Sequence, residues 1–268
     1  MRIPFTQVDA FTDRPFTGNP AAVMPLDDWL PDDTLQAIAA ENNLSETAFI
    51  VPIHGDAEAD FALRWFTPTI EVVMCGHATL ASGHVVLSND AARDRVRFRT
   101  RQAGVLEVAR QGSGYALALP SWKAEPRPLP DIVAALGLKT PVATLWHPHR
   151  YALVVVEDAA TVLALQPDFR RLAADGDVLT IVSAPGADTD IVSRCFVPGG
   201  GIDEDPVTGS AHAVLVPYWA ERLGRTDFTA FQASRRGGYL SCRLEAGGDR
   251  VVLGGACATV IEGSFLLP

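Results

Sequence analysis

The chain has 268 residues, which exceeds one typical domain and fits two compact domains of about 100–150 residues each. Hydrophobic residues make up 48% of the sequence, so each half can build a core. The formal net charge is -10, and such an acidic chain lacks the clustered Lys and Arg that phosphate contacts need. We therefore expect no nucleic-acid partner.

The cysteines and the apolar runs indicate the compartment. The four cysteines form no C-x-x-C pair, so the sequence shows neither a disulfide framework nor a metal-ligand motif. The first residues contain no apolar stretch of signal-peptide length, and no apolar run approaches the ~18 residues of a membrane span. These features predict a cytoplasmic protein with no membrane partner and no metal.

The first elements in chain order are a strand, a turn, a short second strand over 21–24, a helix and another strand. Residues 5–11 alternate like a strand, and residues 16–20 (F-T-G-N-P) are typical of a turn. A helix is predicted to begin at Pro31, because apolar residues then recur at helical spacing. The next strand is predicted over 47–51. Glu46 would therefore lie where a helix gives way to a strand.

An internal repeat organises the rest of the chain. The pattern R-x-F-x-P occurs at residues 64–68 and again, 130 residues later, at 194–198. A segment of small residues follows each copy, at 75–81 and at 206–212, and each runs into an Ala-rich stretch that predicts a buried helix. A phenylalanine followed by a glycine six residues later comes next in both halves. Three features in the same order, offset by 130 to 133 residues, predict a duplicated domain.

The segment between the two copies predicts where the halves divide. Residues 120–130 contain four prolines, which suits a linker. Strands predominate in each half, with one or two helices, and the elements do not alternate as βαβ units. We therefore expect an α+β fold made of two similar halves.

Both small-residue segments are predicted to end at the start of a helix. A helix N-terminus presents unpaired N–H groups and a partial positive charge, and small residues let a ligand approach them. Gly76 and Gly209 occupy matching positions, so two facing helix ends would form a cleft that holds a carboxylate or a developing oxyanion. The alternative is that the two glycines only allow tight packing.

Three polar residues near these segments are candidates for chemistry. His77 lies in the first segment, where a structural and a catalytic role are equally consistent with the pattern. The acidic run at 203–205 is typical of a helix cap, and only Asp205 directly adjoins the second segment. Glu46, taken by pattern alone, has the features of a surface residue.

Cys75 offers a different chemistry. A thiol at a helix N-terminus can have a lowered pKa and act as a base. Racemases that use two thiols take one from each half, but here the position that matches Cys75 is predicted to be Pro206. Cys75 is therefore predicted to be a small, buried residue of the pocket.

Five groups of motifs together resemble the phenazine-biosynthesis PhzF-like family nearly from end to end. They are V-D-A-F with G-N-P-A-A-V (8–11, 18–23), N-L-S-E-T-A-F (43–49), W-F-T-P with C-G-H-A-T-L-A-S (65–68, 75–82), E-D-P-V-T-G-S-A-H (204–212), and A-F-Q with R-G-G (230–232, 236–238).

The resemblance implies a diaminopimelate-epimerase-like fold. This fold has two pseudo-symmetric halves, each a curved sheet wrapped around a central helix, and its last strand crosses back to the first half. The implied domains are residues 1–120, completed by about 257–268, and residues 121–256.

The resemblance also implies an activity and its residues. The best-understood family reaction moves a proton between two carbons of a dihydro-hydroxyanthranilate ring without a cofactor. The family's catalytic glutamate falls on Glu46, its histidine on His77 and its aspartate on Asp205. The substrate-binding positions fall on Cys75, Gly76, Thr208, Gly209 and Ser210. Burial suits such a carboxylate to take and return a proton.

Three hypotheses therefore stand at the level of sequence. The leading one is a cofactor-independent isomerase that acts on a small, cyclic or unsaturated carboxylic acid in a cleft between the halves, as a homodimer. The second is a racemase or epimerase that uses Cys75. The third is a non-catalytic module that binds a ligand or a protein. Glu46 favours an enzyme, because a binding protein needs no base.

Overall fold

The computed structural model describes residues 1–267. Contacts group the chain into two units, residues 1–118 with the segment from Gly254 onward, and residues 119–253. Pro268, the end of the predicted final strand, lies outside the described residues. The domain boundaries predicted from the sequence, at 120/121 and 256/257, stay a prediction. Within residues 1–267, no helix combines the length and apolar character needed to cross a membrane.

The elements follow one another in two matching series. The first series is β1 (Arg2–Ala10), β2 (Asn19–Pro25), α1 (Asp32–Asn42), β3 (Glu46–Pro52), β4 (Phe61–Phe66), β5 (Glu71–Val72), α2 (Gly76–Asn89), β6 (Arg95–Thr100), β7 (Val105–Gln111) and β8 (Gly114–Pro120). The second is β9 (Glu125–Pro126), α3 (Pro130–Ala135), β10 (Ala143–His147), β11 (Tyr151–Val155), α4 (Ala159–Ala164), α5 (Phe169–Ala173), β12 (Leu179–Pro185), β13 (Ile191–Val197), β14 (Ile202–Asp205), α6 (Gly209–Leu223), β15 (Asp227–Gln232), β16 (Gly238–Leu244) and β17 (Arg250–Gly255). The strand β18 (Cys257–Leu266) follows.

The sheet of the first unit curves around one helix. Its strands are paired in the order β18, β1, β2, β3, β4, β6, β7, β8, with β2–β3 and β4–β6 parallel. The helix α2 connects β5 to β6 and contacts β1, β2, β3, β6, β7 and β18. At Gly83 an added Cβ would lie 2.3 Å from Val108, so only glycine lets α2 approach β7 this closely. The last strand, β18, pairs with β1.

The helix α1 determines where β3, and therefore Glu46, begins. Two aspartates in its first turn suit the positive end of the helix dipole. Leu35 and Ile38 are buried against Met24 and Phe49 of the sheet, and each buried side chain of this kind stabilises the fold by roughly 1.5–3 kcal/mol. Asn43 then adopts a left-handed conformation (φ 49°) and ends the helix, three residues before the strand starts.

The second unit repeats this plan. Its strands are paired in the order β9, β10, β11, β12, β13, β15, β16, with β11–β12 and β13–β15 parallel. The helix α6 makes the crossover that α2 makes in the first unit, and α3, α4 and α5 contribute to the core cluster that also contains sheet residues. The predicted duplication and the α+β class are confirmed.

The arginine of the R-x-F-x-P pattern in the first unit forms a structural ion pair. Arg64 is 4% exposed and donates from its guanidinium to both oxygens of Glu71, at 2.8 Å each. Its guanidinium also lies 4.9 Å from the ring centroid of Phe66. The pair fixes β5 against β4, because Glu71 is the antiparallel partner of Phe66. A planar guanidinium can make both contacts at once, which a lysine cannot.

The second copy of the pattern has the same geometry. Arg194 donates to the two oxygens of Glu204 at 2.7 and 3.0 Å, and its guanidinium lies 5.0 Å from the ring centroid of Phe196. The acidic run at 203–205 is therefore not a simple solvated cap, since Glu204 belongs to this ion pair. The repeat that is most visible in the sequence stabilises the scaffold.

Replacing Arg64 tests this structural role. Arg64→Ala should lower the free energy of unfolding by about 3 kcal/mol, because it leaves Glu71 without the buried partner. Urea unfolding followed by tryptophan fluorescence measures the change. The matched control is Arg95→Ala, since Arg95 is 68% exposed and 4.0 Å from Glu107, and its effect should stay within about 0.5 kcal/mol. Equal effects of the two variants would contradict the structural role of Arg64.

Candidate active site

The edge at which β2 and β3 begin brings the first group of candidate residues together. The two strands are parallel, and Ala21 pairs with Glu46. Gly18 makes the turn into β2 with φ +67°, and a Cβ there would lie 2.2 Å from the carbonyl oxygen of Ala10. Because α2 packs against both strands, its first turn reaches this edge. The side chains of Asn19, Glu46 and His77 meet there.

Glu46 and His77 are in direct contact. The Glu46 Oε2 atom lies 2.9 Å from His77 Nε2, and the two side chains are 13% and 3% exposed. Oε2 does not lie along the N–H direction of the ring. Within residues 1–267, neither Oε2 nor Nε2 has an aligned hydrogen-bond partner. The carboxylate is therefore held close to the imidazole without an aligned hydrogen bond between Oε2 and Nε2.

The opposite nitrogen of His77 is occupied by two other residues. Asn19 Nδ2 lies 3.0 Å from Nδ1, and Cys75 Sγ lies 3.5 Å from it. Asn19 therefore holds the Nδ1 side of the ring, while Nε2 lies beside Glu46. The sequence predicts Asn19 in a turn, but it is the buried first residue of β2. The only sequence signal was its place in the G-N-P-A-A-V motif.

Charge and burial shift the pKa values of His77 and Cys75. Burial by itself lowers the pKa of His77, but the charges of Cys75 and Glu46 outweigh it, so the pKa of His77 is raised well above its usual value. Burial raises the pKa of the Cys75 thiol to about 11, and the charge of Glu46 acts in the same direction. Such a thiol is protonated at neutral pH, so Glu46 is the anion that retains the proton on His77.

The same three side chains form a cluster that the sequence did not predict. Glu46, Cys75 and His77 each offer one ligand atom, and these atoms all lie within 4.8 Å of one another. The sequence pattern predicted no metal-ligand motif. It missed this group because strand pairing and helix packing, not chain spacing, bring Glu46 to the other two residues.

The second group of candidates lies in the second unit and is held by a buried glutamine. Gln232 accepts from the backbone N–H of Thr208 and donates to the carbonyl oxygen of Asp205, at 2.8 Å in both cases. The Thr208 hydroxyl donates to the Asp205 carboxylate. Asp205, Thr208 and Ser210 are each less than a tenth exposed. Gln232 was quoted only as part of A-F-Q, and nothing in the sequence indicated that it would position Asp205.

The start of α6 corrects one predicted equivalence. The helix begins at Gly209 and α2 begins at Gly76, so the residue that matches Cys75 is Thr208 and not Pro206. Thr208, like Pro206, has no thiol, so the matching position still lacks a second thiol. His212 lies one turn into α6, where Nδ1 donates to the carbonyl oxygen of Thr208 at 2.8 Å.

Comparisons with known proteins agree on one family. The model for phenazine biosynthesis-like proteins, PhzC-PhzF, matches residues 8–263. An uncharacterized isomerase from Pseudomonas aeruginosa is 48% identical over 269 residues, with both chains fully covered. The crystal structure of a PhzF-family protein from Enterococcus faecalis has a TM-score of 0.89 at 43% identity, with full coverage of both chains.

A more distant structure shows the fold alone. A hydroxyproline epimerase from Agrobacterium vitis has a TM-score of 0.63 at 11% identity, covering 98% of this chain and 92% of that one. The epimerase-like fold that the resemblance implied is confirmed.

The pKa values of the two buried histidines, His77 and His212, should be shifted in opposite directions. Burial lowers the pKa of His212 to about 4, against the effect of its bond to Thr208. This histidine should stay neutral when His77 still carries its proton above the usual pKa of about 6.5. Below a pH of about 6.5, His212 is protonated in the unfolded chain but stays neutral in the folded chain. Burial of His212 therefore lowers the free energy of unfolding as the pH falls from about 6.5 towards 4.

Nitrogen-15 NMR of the imidazoles measures both pKa values. Glu46→Gln should lower the pKa of His77, because it removes the neighbouring charge, and should leave His212 unchanged. A His77 pKa that does not respond to Glu46→Gln would contradict the coupling between the two side chains.

Proposed function

Since the chain belongs to the phenazine biosynthesis-like (PhzF) family and is an isomerase, we propose that it moves a proton between two carbons of a small carboxylic acid without a cofactor. The substrate class is a cyclic or unsaturated acid, in which the charge left by the proton can be delocalised. The contact between Glu46 and His77 is the observation that carries the proposal.

Glu46 is the acid and base of the proposed reaction. Its carboxylate takes the proton from the first carbon, which leaves the electron pair delocalised on the substrate. The neutral carboxyl then returns the proton to the second carbon, so the enzyme ends in its starting state. General acid–base catalysis of this kind contributes roughly 10²–10⁴-fold to the rate.

His77 and the first turn of α2 stabilise the charges in this scheme. His77 Nε2 lies 2.9 Å from Glu46 Oε2 and holds the carboxylate in place, while Asn19 contacts the opposite nitrogen, Nδ1. Backbone N–H groups in the first turn of a helix have no partner within the helix, so those of Gly76 and His77 suit the substrate carboxylate or the negative charge that develops on the substrate. The catalytic role of Asp205 and the substrate contacts of Thr208, Gly209 and Ser210 stay predictions.

The properties of Cys75 favour proton transfer by Glu46 over transfer by a thiol. A pKa of about 11 leaves Cys75 protonated at neutral pH, and the matching position in the second unit is Thr208. We further propose that the protein works as a homodimer in the cytoplasm, with no nucleic-acid partner.

Replacing Glu46 tests the proposed reaction. Glu46→Gln should slow the exchange of the substrate's acidic C–H with deuterated solvent by about 10²–10⁴-fold, because the amide cannot take the proton. Ligand affinity should change far less, since the amide keeps the shape of the side chain. Proton NMR of the substrate measures the exchange after a screen of cyclic and α,β-unsaturated carboxylic acids has identified a substrate.

Two further variants complete the experiment. The matched control is Glu41→Gln, which makes the same change at an exposed residue of α1 and should leave exchange as it is. Cys75→Ala should lose much less activity than Glu46→Gln, because no second thiol is present at the matching position. An inactive Cys75→Ala beside an active Glu46→Gln would overturn the proposal in favour of thiol chemistry. If ligands bind but neither Glu46→Gln nor Cys75→Ala changes the turnover of any substrate, the result would favour a ligand-binding module.

A further inference from the structure

We propose that Glu46, Cys75 and His77 form a binding site for a divalent cation of intermediate softness, foremost Zn²⁺, and that the bound ion blocks the isomerase. Nothing in the predicted reaction requires this ion. The inhibition rests on the proposed role of Glu46, whereas the binding of the ion does not.

The positions of the three ligand atoms are close to those of a zinc site. They lie within 4.8 Å of one another, and Glu46 Oε2 is already 2.9 Å from His77 Nε2. Zinc bonds of about 2.0–2.3 Å at tetrahedral angles place the ligand atoms roughly 3.3–3.8 Å apart. Because Cys75 Sγ lies 3.5 Å from Nδ1, Cys75 must rotate about its Cα–Cβ bond for Sγ to reach an ion bound to Nε2.

The ligand set selects the type of ion. A thiolate, an imidazole nitrogen and one carboxylate suit Zn²⁺, whereas Mg²⁺ and Ca²⁺ prefer oxygen ligands alone. Three protein ligands leave a fourth position for water. With the ion on Nε2, the neutral ring carries its hydrogen on Nδ1, so the amide of Asn19 must turn over and accept through its oxygen, and metal-binding histidines are commonly held by such an acceptor at their other nitrogen.

An independent observation also favours a ligand at this position. His77 is 3% exposed, and within residues 1–267 its Nε2 has no aligned hydrogen-bond partner, and the same is true of Glu46 Oε2. Buried polar atoms are nearly always paired, so a pair left in this state is suited to an additional ligand. No second group of three such residues this close together occurs among residues 1–267.

The binding step releases two protons. The Cys75 thiol and the protonated His77 ring each give one proton to solvent, so Cys75 binds as a thiolate, His77 as a neutral imidazole and Glu46 as a carboxylate. The two negative ligands neutralise the charge of the ion. Because Oε2 then bonds to the ion, Glu46 can no longer take a proton from a substrate.

Cobalt is the direct probe of the thiolate. The full-length chain, without an affinity tag and treated with chelator, is titrated with Co²⁺ and then with Zn²⁺ as competitor. We expect one Co²⁺ per chain, a thiolate-to-cobalt charge-transfer band in the near ultraviolet, and loss of that band as Zn²⁺ is added. Cys75→Ala should abolish the band and weaken Zn²⁺ binding by more than the ~10–100-fold that second-shell changes cost.

Matched variants make the result specific. Cys257→Ala, at a half-buried thiol of the same unit, should keep the band and the affinity for Zn²⁺. Cys75→Ser, which nearly preserves the volume of the thiol, should also lose the band, and thermal unfolding shows that each variant is folded. A band that survives in folded Cys75→Ser, or Co²⁺ bound without a thiolate band, would overturn the inference.

Activity measurements separate this inference from the proposed reaction. Zn²⁺ should inhibit the wild type, and chelator should restore its activity. In Cys75→Ser the Zn²⁺ concentration for half inhibition, relative to the variant's own activity, should rise by the same factor as its Kd. If Zn²⁺ binds through Cys75 but Glu46→Gln is active, the proposed reaction fails and the metal site stands. If activity depends on Glu46 but Zn²⁺ does not bind through Cys75, only the metal site fails.

Discussion

Glu46 and His77 meet because two parallel strands begin at the edge that faces the first turn of a buried helix. The strand β3 starts at Glu46, three residues after the left-handed Asn43 that ends α1. The helix α2 starts at Gly76, and its first turn carries His77. The 2.9 Å contact between the two side chains therefore follows from element boundaries, each of which has its own local cause. The chemistry of the site depends on these boundaries remaining in register.

The two units share a scaffold but not a set of polar side chains. Both have the same strand pairing, the same crossover helix and the same Arg–Glu ion pair under a phenylalanine. At the helix starts the residues differ, since Cys75 is matched by Thr208. The first unit holds a histidine with a raised pKa beside a carboxylate, and the second holds His212 with a pKa of about 4. Duplication has therefore kept the structural interactions while the polar groups at the helix starts became different.

The sequence predicted the fold better than the site. The repeat at 64–68 and 194–198 was sufficient for two similar halves, because an ion pair between neighbouring strands requires fixed residue types at fixed spacing. Glu46 was recognised only through the family resemblance, since a glutamate between a helix and a strand has no distinctive pattern. Asn19 and Gln232 were missed, because their partners lie far away in the chain. Counting from the R-x-F-x-P pattern also matched Cys75 to the wrong residue, since the two loops differ in length before their helices begin.

A single-turnover experiment with labelled substrate tests most directly that one carboxyl both takes and returns the proton. The substrate carries deuterium at its acidic carbon, and the product formed in ordinary water is analysed by mass spectrometry. Because Glu46 is largely buried and acts alone in this account, part of the deuterium should appear at the second carbon of the product. Complete loss of deuterium from the first product molecules would contradict the account, in which the buried carboxyl returns the deuteron to the second carbon before it exchanges with solvent.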